Sequence, residues 1–125
     1  MQNVFLLDSI AEISAAMRGG LVVSGSHGGV SAARFALTHA PAFVVFNDAG
    51  IGLDHAGIAG LSMLEEHQIA AAAVSHLSAR IGEAKSSHLD GVFTHVNAHA
   101  LALGVRVGER CADAIARLQA AHQPD

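Results

Sequence analysis

LVVSGSHGG, residues 21–29, begins as an apolar run and ends in small polar residues and glycines. The same change occurs twice more, where the apolar residues 42–46 and 69–74 are followed by the polar segments 47–52 and 75–80. Short apolar runs of this kind are typical of the buried strands of a parallel sheet. Because the carboxyl ends of parallel strands meet at one edge of the sheet, we expect the three polar segments to share a crevice.

The periodicity of the chain predicts alternating strands and helices. Strands are predicted at residues 4–7, 21–23, 42–46 and 69–74, and helices at 31–38, 53–67, 91–103 and 109–121. A further helix begins after Ser9, where Glu12 completes a capping box. Residues 82–90 are predicted to be a loop, 104–108 a fifth strand or a turn, and 122–125 a frayed tail. The alternation predicts one α/β domain, a three-layer α/β/α sandwich with four or five mostly parallel strands, flavodoxin-like or Rossmann-like in size.

The composition excludes some partners and favours others. Charged residues make up only 14% of the 125 residues, against about 25% in typical domains, so we expect a homo-oligomer that covers part of the surface. The net charge is −4, the seven Lys and Arg residues form no cluster, and Trp and Tyr are absent. A nucleic-acid partner is therefore not expected, because neither a basic patch nor a stacking platform is present.

The chain carries no pattern typical of membranes or of secretion. Its first residues have no basic start, Asp8 interrupts their apolar stretch, and no apolar run approaches the roughly 20 residues of a membrane span. The single cysteine, Cys111, allows no intrachain disulfide and is expected to be a packed, inert thiol. These features predict a cytoplasmic protein without a membrane partner.

The segment after the second strand is the first candidate binding site. Its glycines would let backbone amides turn toward a phosphate or carboxylate, and the next helix N-terminus would add partial positive charge. The Gly-x-x-Gly-Gly spacing matches neither the dinucleotide fingerprint nor the Walker loop, so a tight strand-to-helix turn is the alternative. The candidate residues are Ser24, Gly25, Ser26, His27, Gly28 and Gly29.

The same segment also allows a nucleophile hypothesis. Ser26 lies on a strand-to-helix turn in a small-x-Ser-x-Gly pattern, and Asp48 and His76 follow the next two strands. This Ser, Asp, His order is the one that α/β-hydrolases use, although the chain is too short for that fold. Whether a base lies within about 3 Å of Ser26 is a question of geometry that the sequence leaves open.

The third strand leads into Asn47, Asp48 and Gly50. The Asp48 carboxylate could serve as a general base or a metal ligand, or it could only cap the glycine-rich turn that follows. Asp54 is predicted to be the N-cap of the helix at residues 53–67.

The fourth strand leads into Ser75, His76, Ser78 and Arg80. Arg80 suits a carboxylate or phosphate through bidentate hydrogen bonds, and His76 suits proton transfer near neutral pH. Alternatively, Arg80 forms a structural ion pair with Glu83 or Asp48. The loop predicted at residues 82–90 could close over a bound molecule or be plain surface.

Nine histidines raise the question of a metal site. His95 and His99 would lie one turn apart on the helix predicted at residues 91–103, and His88 is a third candidate ligand. The Glu that follows the first His of zinc-protease motifs is absent, so solvated or interface histidines are the preferred interpretation. We therefore expect no metal, and we expect no cofactor because no nucleotide motif is present.

Together these features predict a protein that binds a small anionic metabolite, with Arg80 and the glycine-rich segment as anion ligands. Asp48 with His76 or His27 would transfer protons in a cofactor-independent isomerase, lyase or hydrolase. The alternative is a non-catalytic module that senses a ligand or serves oligomer contacts or assembly. The sequence does not distinguish the two.

Overall fold

A computed structural model describes residues 3–121 of the chain. Five strands form one sheet in the order β1-β2-β3-β4-β5, with β1 to β4 parallel and β5 antiparallel to β4. The strands are Val4–Leu7 (β1), Leu21–His27 (β2), Phe43–Asn47 (β3), Ala70–Val74 (β4) and Phe93–Val96 (β5). The predicted sandwich with mostly parallel strands is confirmed.

Helices cover both faces of the sheet, which gives the three layers. They are Val30–His39 (α1), Ala59–Glu66 (α2), Ala84–Asp90 (α3), Ala98–Ala102 (α4) and Cys111–Ala121 (α5). Helices α1 and α2 pack on the face that carries Val22 and Val44, and α4 and α5 pack on the face that carries Val23 and Val45. The central strands are therefore buried on both sides, as their unbroken apolar runs predict.

The second strand is longer than predicted. It continues from residue 23 to His27, so the expected glycine-rich loop is reduced to Gly28 and Gly29. Ser24 is fully buried and its hydroxyl donates a hydrogen bond of 2.7 Å to the Val45 carbonyl of β3. This bond lets a polar residue continue inside the sheet, and for that reason polarity alone does not mark the strand end.

The connection from β1 to β2 contains two 3₁₀ turns, Ile10–Glu12 and Ala15–Met17, in place of the expected α-helix. The predicted capping box of Ser9 and Glu12 is confirmed. Ile10 and Ile13, three residues apart, are both buried, and this spacing matches the three-residue period of a 3₁₀ turn.

The helix expected at residues 53–67 is interrupted. A 3₁₀ turn at Leu53–His55 precedes α2, which begins only at Ala59, so the prediction that Asp54 caps the helix is wrong. Asp54 instead has a left-handed backbone with φ of 55°. The Gly57 amide donates to the Ile51 carbonyl and closes this loop before the helix begins.

The predictions for residues 82–103 are also wrong. Residues 84–90 form α3 instead of a loop, and residues 91–103 form β5 and α4 instead of one helix. Asn97 separates β5 from α4, since its side chain accepts from the Ala100 amide and caps the helix. Residues 104–108 form a turn, one of the two predicted alternatives, and the last predicted helix is confirmed as α5. The tail predicted at residues 122–125 lies outside the described residues.

Cys111 is fully buried at the start of α5, and burial raises the pKa of its thiol to about 12. The packed thiol predicted from the sequence is confirmed. Within residues 3–121, the helices are all too short or too polar to cross a bilayer.

Candidate functional site

Asp48, the first residue after β3, holds the centre of the candidate site. Only 4% of its surface is exposed, and both carboxylate oxygens accept hydrogen bonds. Oδ1 accepts from the Gly50 amide at 2.8 Å, the His76 amide at 3.0 Å and the His76 ring Nδ1 at 3.3 Å. Oδ2 accepts from the Thr94 hydroxyl at 2.8 Å. The carboxylate thus ties together the ends of β3, β4 and β5.

The hydrogen bonds also determine the charge of Asp48. Burial raises the pKa of the carboxyl, but the bonds from Gly50, Thr94 and His76 together outweigh it. The pKa of Asp48 therefore lies below its ordinary value of 3.8, and the group is ionised at neutral pH.

His76 is oriented by this carboxylate. An ionised Asp48 can only accept, so the His76 Nδ1 is the donor and the neutral ring has its lone pair on Nε2. The ring packs over Gly50, where a Cβ would lie 3.4 Å from the His76 Cε1. Its side chain is 43% exposed, so the His76 ring faces solvent while Asp48 stays buried. An imidazole held in one tautomer by a carboxylate can accept a proton at Nε2 and return it.

Thr94 is a component of the site that sequence reasoning missed. The antiparallel direction of β5 brings the start of that strand to the carboxyl end of β4, where Val74 pairs with Phe93. The only sequence signal is a β-branched Thr between Phe93 and Val96, which favours a strand but not a role. The next residue, His95, places its Nδ1 3.0 Å from the Thr94 hydroxyl, which extends the network to a second imidazole.

A shallow depression of about 220 Å³ adjoins His76. Its lining includes Ser78, Arg80, Ser86 and Asp90, so His76 and Arg80 line the same depression. Arg80 is 81% exposed and lies 3.8 Å from Glu83, the first of the two partners predicted for it. Its guanidinium therefore remains accessible from solvent.

The remaining polar side chains after β3 and β4 form hydrogen bonds with the backbone of the turns. Asn47 is fully buried, donates to the Ala79 carbonyl at 3.1 Å and accepts from the Ala49 amide at 2.8 Å. Ser75 accepts from the Leu77 amide. The Ser78 hydroxyl donates to the Ser75 carbonyl and accepts from the Val92 amide. Each of these side chains thus forms at least one hydrogen bond inside the protein.

The segment after Asp48 has an unusual backbone. Ala49, Ile51, Asp54 and His55 all have positive φ values, between 51° and 71°. Such conformations are costly for residues other than glycine, and they concentrate at active sites and ligand clamps. The Asn47 and Asp48 side chains hold this backbone through their bonds to the Ala49 and Gly50 amides.

The end of β2 is packed around its glycines, and only its last residue, His27, is exposed. The Gly28 amide donates to the Asn47 carbonyl, and the Gly29 amide donates to the His27 Nδ1 at 3.2 Å. A Cβ on Gly28 would lie 2.8 Å from the Gly57 carbonyl oxygen, so this glycine allows the chain to approach α2 closely. Gly25 is similarly enclosed, since a Cβ there would lie 2.5 Å from the Glu83 amide nitrogen. Anion binding at this segment stays a prediction.

Ser26 is placed away from the hydrogen bonds of the Asp48–His76 pair. Its hydroxyl accepts from the Ile10 amide at 2.9 Å, and within residues 3–121 its side chain makes this one hydrogen bond. The pairing register puts His27, Asn47 and Val74 side by side on three neighbouring strands. Asp48 and His76 are therefore in contact, while Ser26 bonds to the turn after β1.

The histidines proposed as metal candidates lie on three different elements. His88 is on α3, His95 on β5 and His99 on α4, so the predicted arrangement of His95 and His99 on one helix is wrong. Among residues 3–121, no group of three His, Cys, Asp or Glu side chains is arranged to hold a metal ion. His99 instead pairs with Glu65, whose Oε2 lies 2.6 Å from the ring Nδ1.

Comparison with known proteins adds no assignment to this geometry. The chain matches no protein-family model, and it matches neither a curated protein nor a solved structure.

Proposed function

We propose that the protein binds a small anionic metabolite beside His76 and Arg80 and moves a proton on it with the Asp48–His76 pair. The observation that carries this proposal is the buried Asp48 carboxylate, which orients an exposed imidazole at a depression that an accessible guanidinium also lines. Arg80 would bind the carboxylate or phosphate, and His76 Nε2 would take up and return the proton. This proton transfer uses only side chains of the protein. A reaction of this kind is typical of an isomerase or a lyase.

Three further observations support a catalytic role over simple binding. The Asp48 carboxylate remains ionised beside the ring, so it stabilises the imidazolium that forms when His76 accepts a proton. Thr94 holds the second carboxylate oxygen, which fixes the rotation of the carboxyl group. The positive-φ backbone that follows Asp48 is the kind of strain that proteins retain at functional positions.

The test begins with a thermal-shift screen of phosphorylated and carboxylated metabolites, followed by a turnover assay of each compound that binds. Arg80→Gln should weaken binding about tenfold, which corresponds to the loss of a charge-assisted hydrogen bond. Arg34→Gln, an exposed arginine on α1, is the matched control and should bind as the wild type does.

His76→Gln separates catalysis from binding. We expect this variant to bind the same compounds and to lose turnover at least a hundredfold, because glutamine cannot transfer the proton. Equal turnover by His76→Gln and the wild type would overturn the catalytic proposal. Equal binding by Arg80→Gln and the wild type would overturn the proposed location of the anion.

The second candidate function is a ligand-responsive interaction module. Leu53 and Leu77, which follow β3 and β4, are each 86% exposed, and Ile81 is 54% exposed. Exposed apolar side chains near a ligand site are typical of an interface, here with a second copy of the chain. Light scattering with and without a compound that binds tests this function. A change in mass that Leu77→Ser abolishes, without turnover, would favour the module over the enzyme.

A further inference from the structure

A second cavity lies between helix α2 and strand β5. Its volume is about 490 Å³, which falls within the range of small-molecule sites, and its lining residues do not overlap with those of the depression beside Arg80. Ile58 and Leu61 from the α2 side and Val96 from β5 provide apolar lining. We call this cavity the α2–β5 groove.

One wall of the groove is fixed in place by Asn97. Its Oδ1 accepts from the Ala71 and Ala100 amides, each at 3.0 Å. Its Nδ2 donates to the Ile69 carbonyl at 2.9 Å and the Leu61 carbonyl at 3.3 Å. All four hydrogen bonds of a buried amide are thus made, so Asn97 joins β4, α2 and α4 and is not available to a ligand.

Two carboxylates line the groove, and they differ in their partners. Glu65 accepts from the His99 amide at 2.9 Å and lies against the His99 ring, and these contacts lower its pKa. Glu66 is exposed and makes no ion pair with another residue of the described part. Among residues 3–121, no Lys or Arg lines the groove, so its unpaired charge is negative.

His95 contributes an acceptor whose orientation is set by Thr94. The Thr94 hydroxyl has one proton, which it gives to the ionised Asp48 at 2.8 Å, the shorter of its bonds to acceptors. The hydroxyl oxygen must then accept from the His95 Nδ1 at 3.0 Å. The neutral His95 ring therefore carries its lone pair on Nε2, for which the structure gives no partner among residues 3–121.

We propose that the α2–β5 groove is a binding site for a small protonated amine with an apolar body. An ammonium group has three donors and no acceptor, which matches Nε2 of His95 and the carboxylate of Glu66, with the Ser62 hydroxyl nearby. The alkyl part would cover Ile58, Leu61 and Val96. This site is separate from the proposed anion site, and its test measures binding without turnover.

The probes are n-butylammonium chloride, n-butanol and sodium butanoate, titrated into ¹⁵N-labelled protein and followed by amide chemical shifts. We expect saturable shifts within residues 58–66 and 95–98 for the ammonium ion, about tenfold weaker binding of the alcohol, and no saturable binding of the carboxylate. Equal binding of amine and alcohol, or no saturable shift in these residues with the amine, would overturn the proposal.

Variants then test the two polar contacts. Glu66→Gln should weaken butylammonium binding several-fold, whereas Asp113→Asn, which removes an exposed carboxylate on α5, should leave it within about twofold. Thr94→Val should weaken binding and Thr94→Ser should preserve it, with long-range ¹H–¹⁵N spectra showing His95 protonated at Nδ1 only where the hydroxyl is present. Equal affinity of Glu66→Gln and the wild type would contradict the proposed ammonium contact. A Thr94→Val protein with an unchanged His95 tautomer would contradict the role of Thr94.

Discussion

The carboxyl ends of β2 and of β3–β4 contain similar residues but differ in packing. Both contain small polar residues, glycine and one exposed histidine. At the end of β2, Ser24 is buried and bonded to Val45, and the Gly28 and Gly29 amides bond within the protein. At the ends of β3 and β4, the Asp48 carboxylate is buried but the His76 ring that it orients is exposed. A polar, glycine-bearing strand end can therefore be closely packed or can present an oriented side chain to solvent, and only the neighbouring elements decide which.

The largest effect on stability is expected at the end of β2, which we call the packed region. A Cβ on Gly60 of α2 would lie 2.4 Å from the Gly29 carbonyl oxygen, a backbone atom that cannot move alone. Gly60→Ala should therefore destabilise the protein by about 3 kcal/mol, although alanine is the better helix former by about 1 kcal/mol. Urea unfolding measures the change. Ser62→Ala, exposed in the same helix, is the control and should shift stability by less than about 0.5 kcal/mol. A stable Gly60→Ala would mean that the β2 end is open enough to bind a ligand.

The next largest effect on stability is expected at Asp48, in the region at the ends of β3 and β4, which we call the open region. Asp48→Asn places an amide where four hydrogen bonds converge on a carboxylate, and we expect a loss of about 2 kcal/mol at neutral pH. Asp54→Asn, exposed in the loop that follows β3, should change stability by less than about 0.5 kcal/mol. Similar losses in the two variants would show that the hydrogen bonds to Asp48 contribute nothing specific.

The pH dependence of this loss follows from the pKa of Asp48. Since the folded-state pKa lies below 3.8, the ionised carboxylate contributes its full stability above that pH and loses it as the pH falls through the folded-state pKa. The difference in unfolding free energy between wild type and Asp48→Asn should therefore be constant near neutrality and shrink below about pH 3.8. A difference that grows toward acid pH would mean that burial, and not hydrogen bonding, controls this group.

The sequence predicted the parallel core and part of the site for a physical reason. The apolar runs at residues 42–46 and 69–74 indicate burial on both faces of the sheet, and the parallel strand direction then brings Asp48 and His76 to one edge. The secondary-structure predictions are wrong where tertiary contacts override the structure that the local sequence pattern indicates. Residues 91–103 have helical spacing, yet Phe93 pairs with Val74 and Asn97 begins a new helix, so Thr94 and His95 reach the site from a strand. A role that depends on an antiparallel neighbour leaves no motif in the chain.

A smaller effect on stability is expected at Ser24, whose buried hydroxyl forms a hydrogen bond inside the sheet. The Ser24 hydroxyl donates to the Val45 carbonyl at 2.7 Å with no exposure, so Ser24→Ala should cost about 1 kcal/mol. Ser86→Ala, whose hydroxyl accepts from the Arg80 amide at the exposed edge, is the matched comparison and should cost less. If both substitutions cost the same in urea unfolding, burial does not separate the two regions.

The smallest effect on stability, and the sharpest contrast between the regions, is expected at Arg80. Its side chain is 81% exposed and its partner Glu83 lies 3.8 Å away, so solvent screens the pair and Arg80→Gln should change the unfolding free energy by less than about 0.5 kcal/mol. A residue that contributes little to folding, yet lines the same depression as an imidazole held by a buried carboxylate, is free to contribute to binding. A loss of more than about 1 kcal/mol would instead make Arg80 part of the scaffold, as Ser24 is. The open region would then be structural, as the packed region is, and another residue would have to bind the proposed anion.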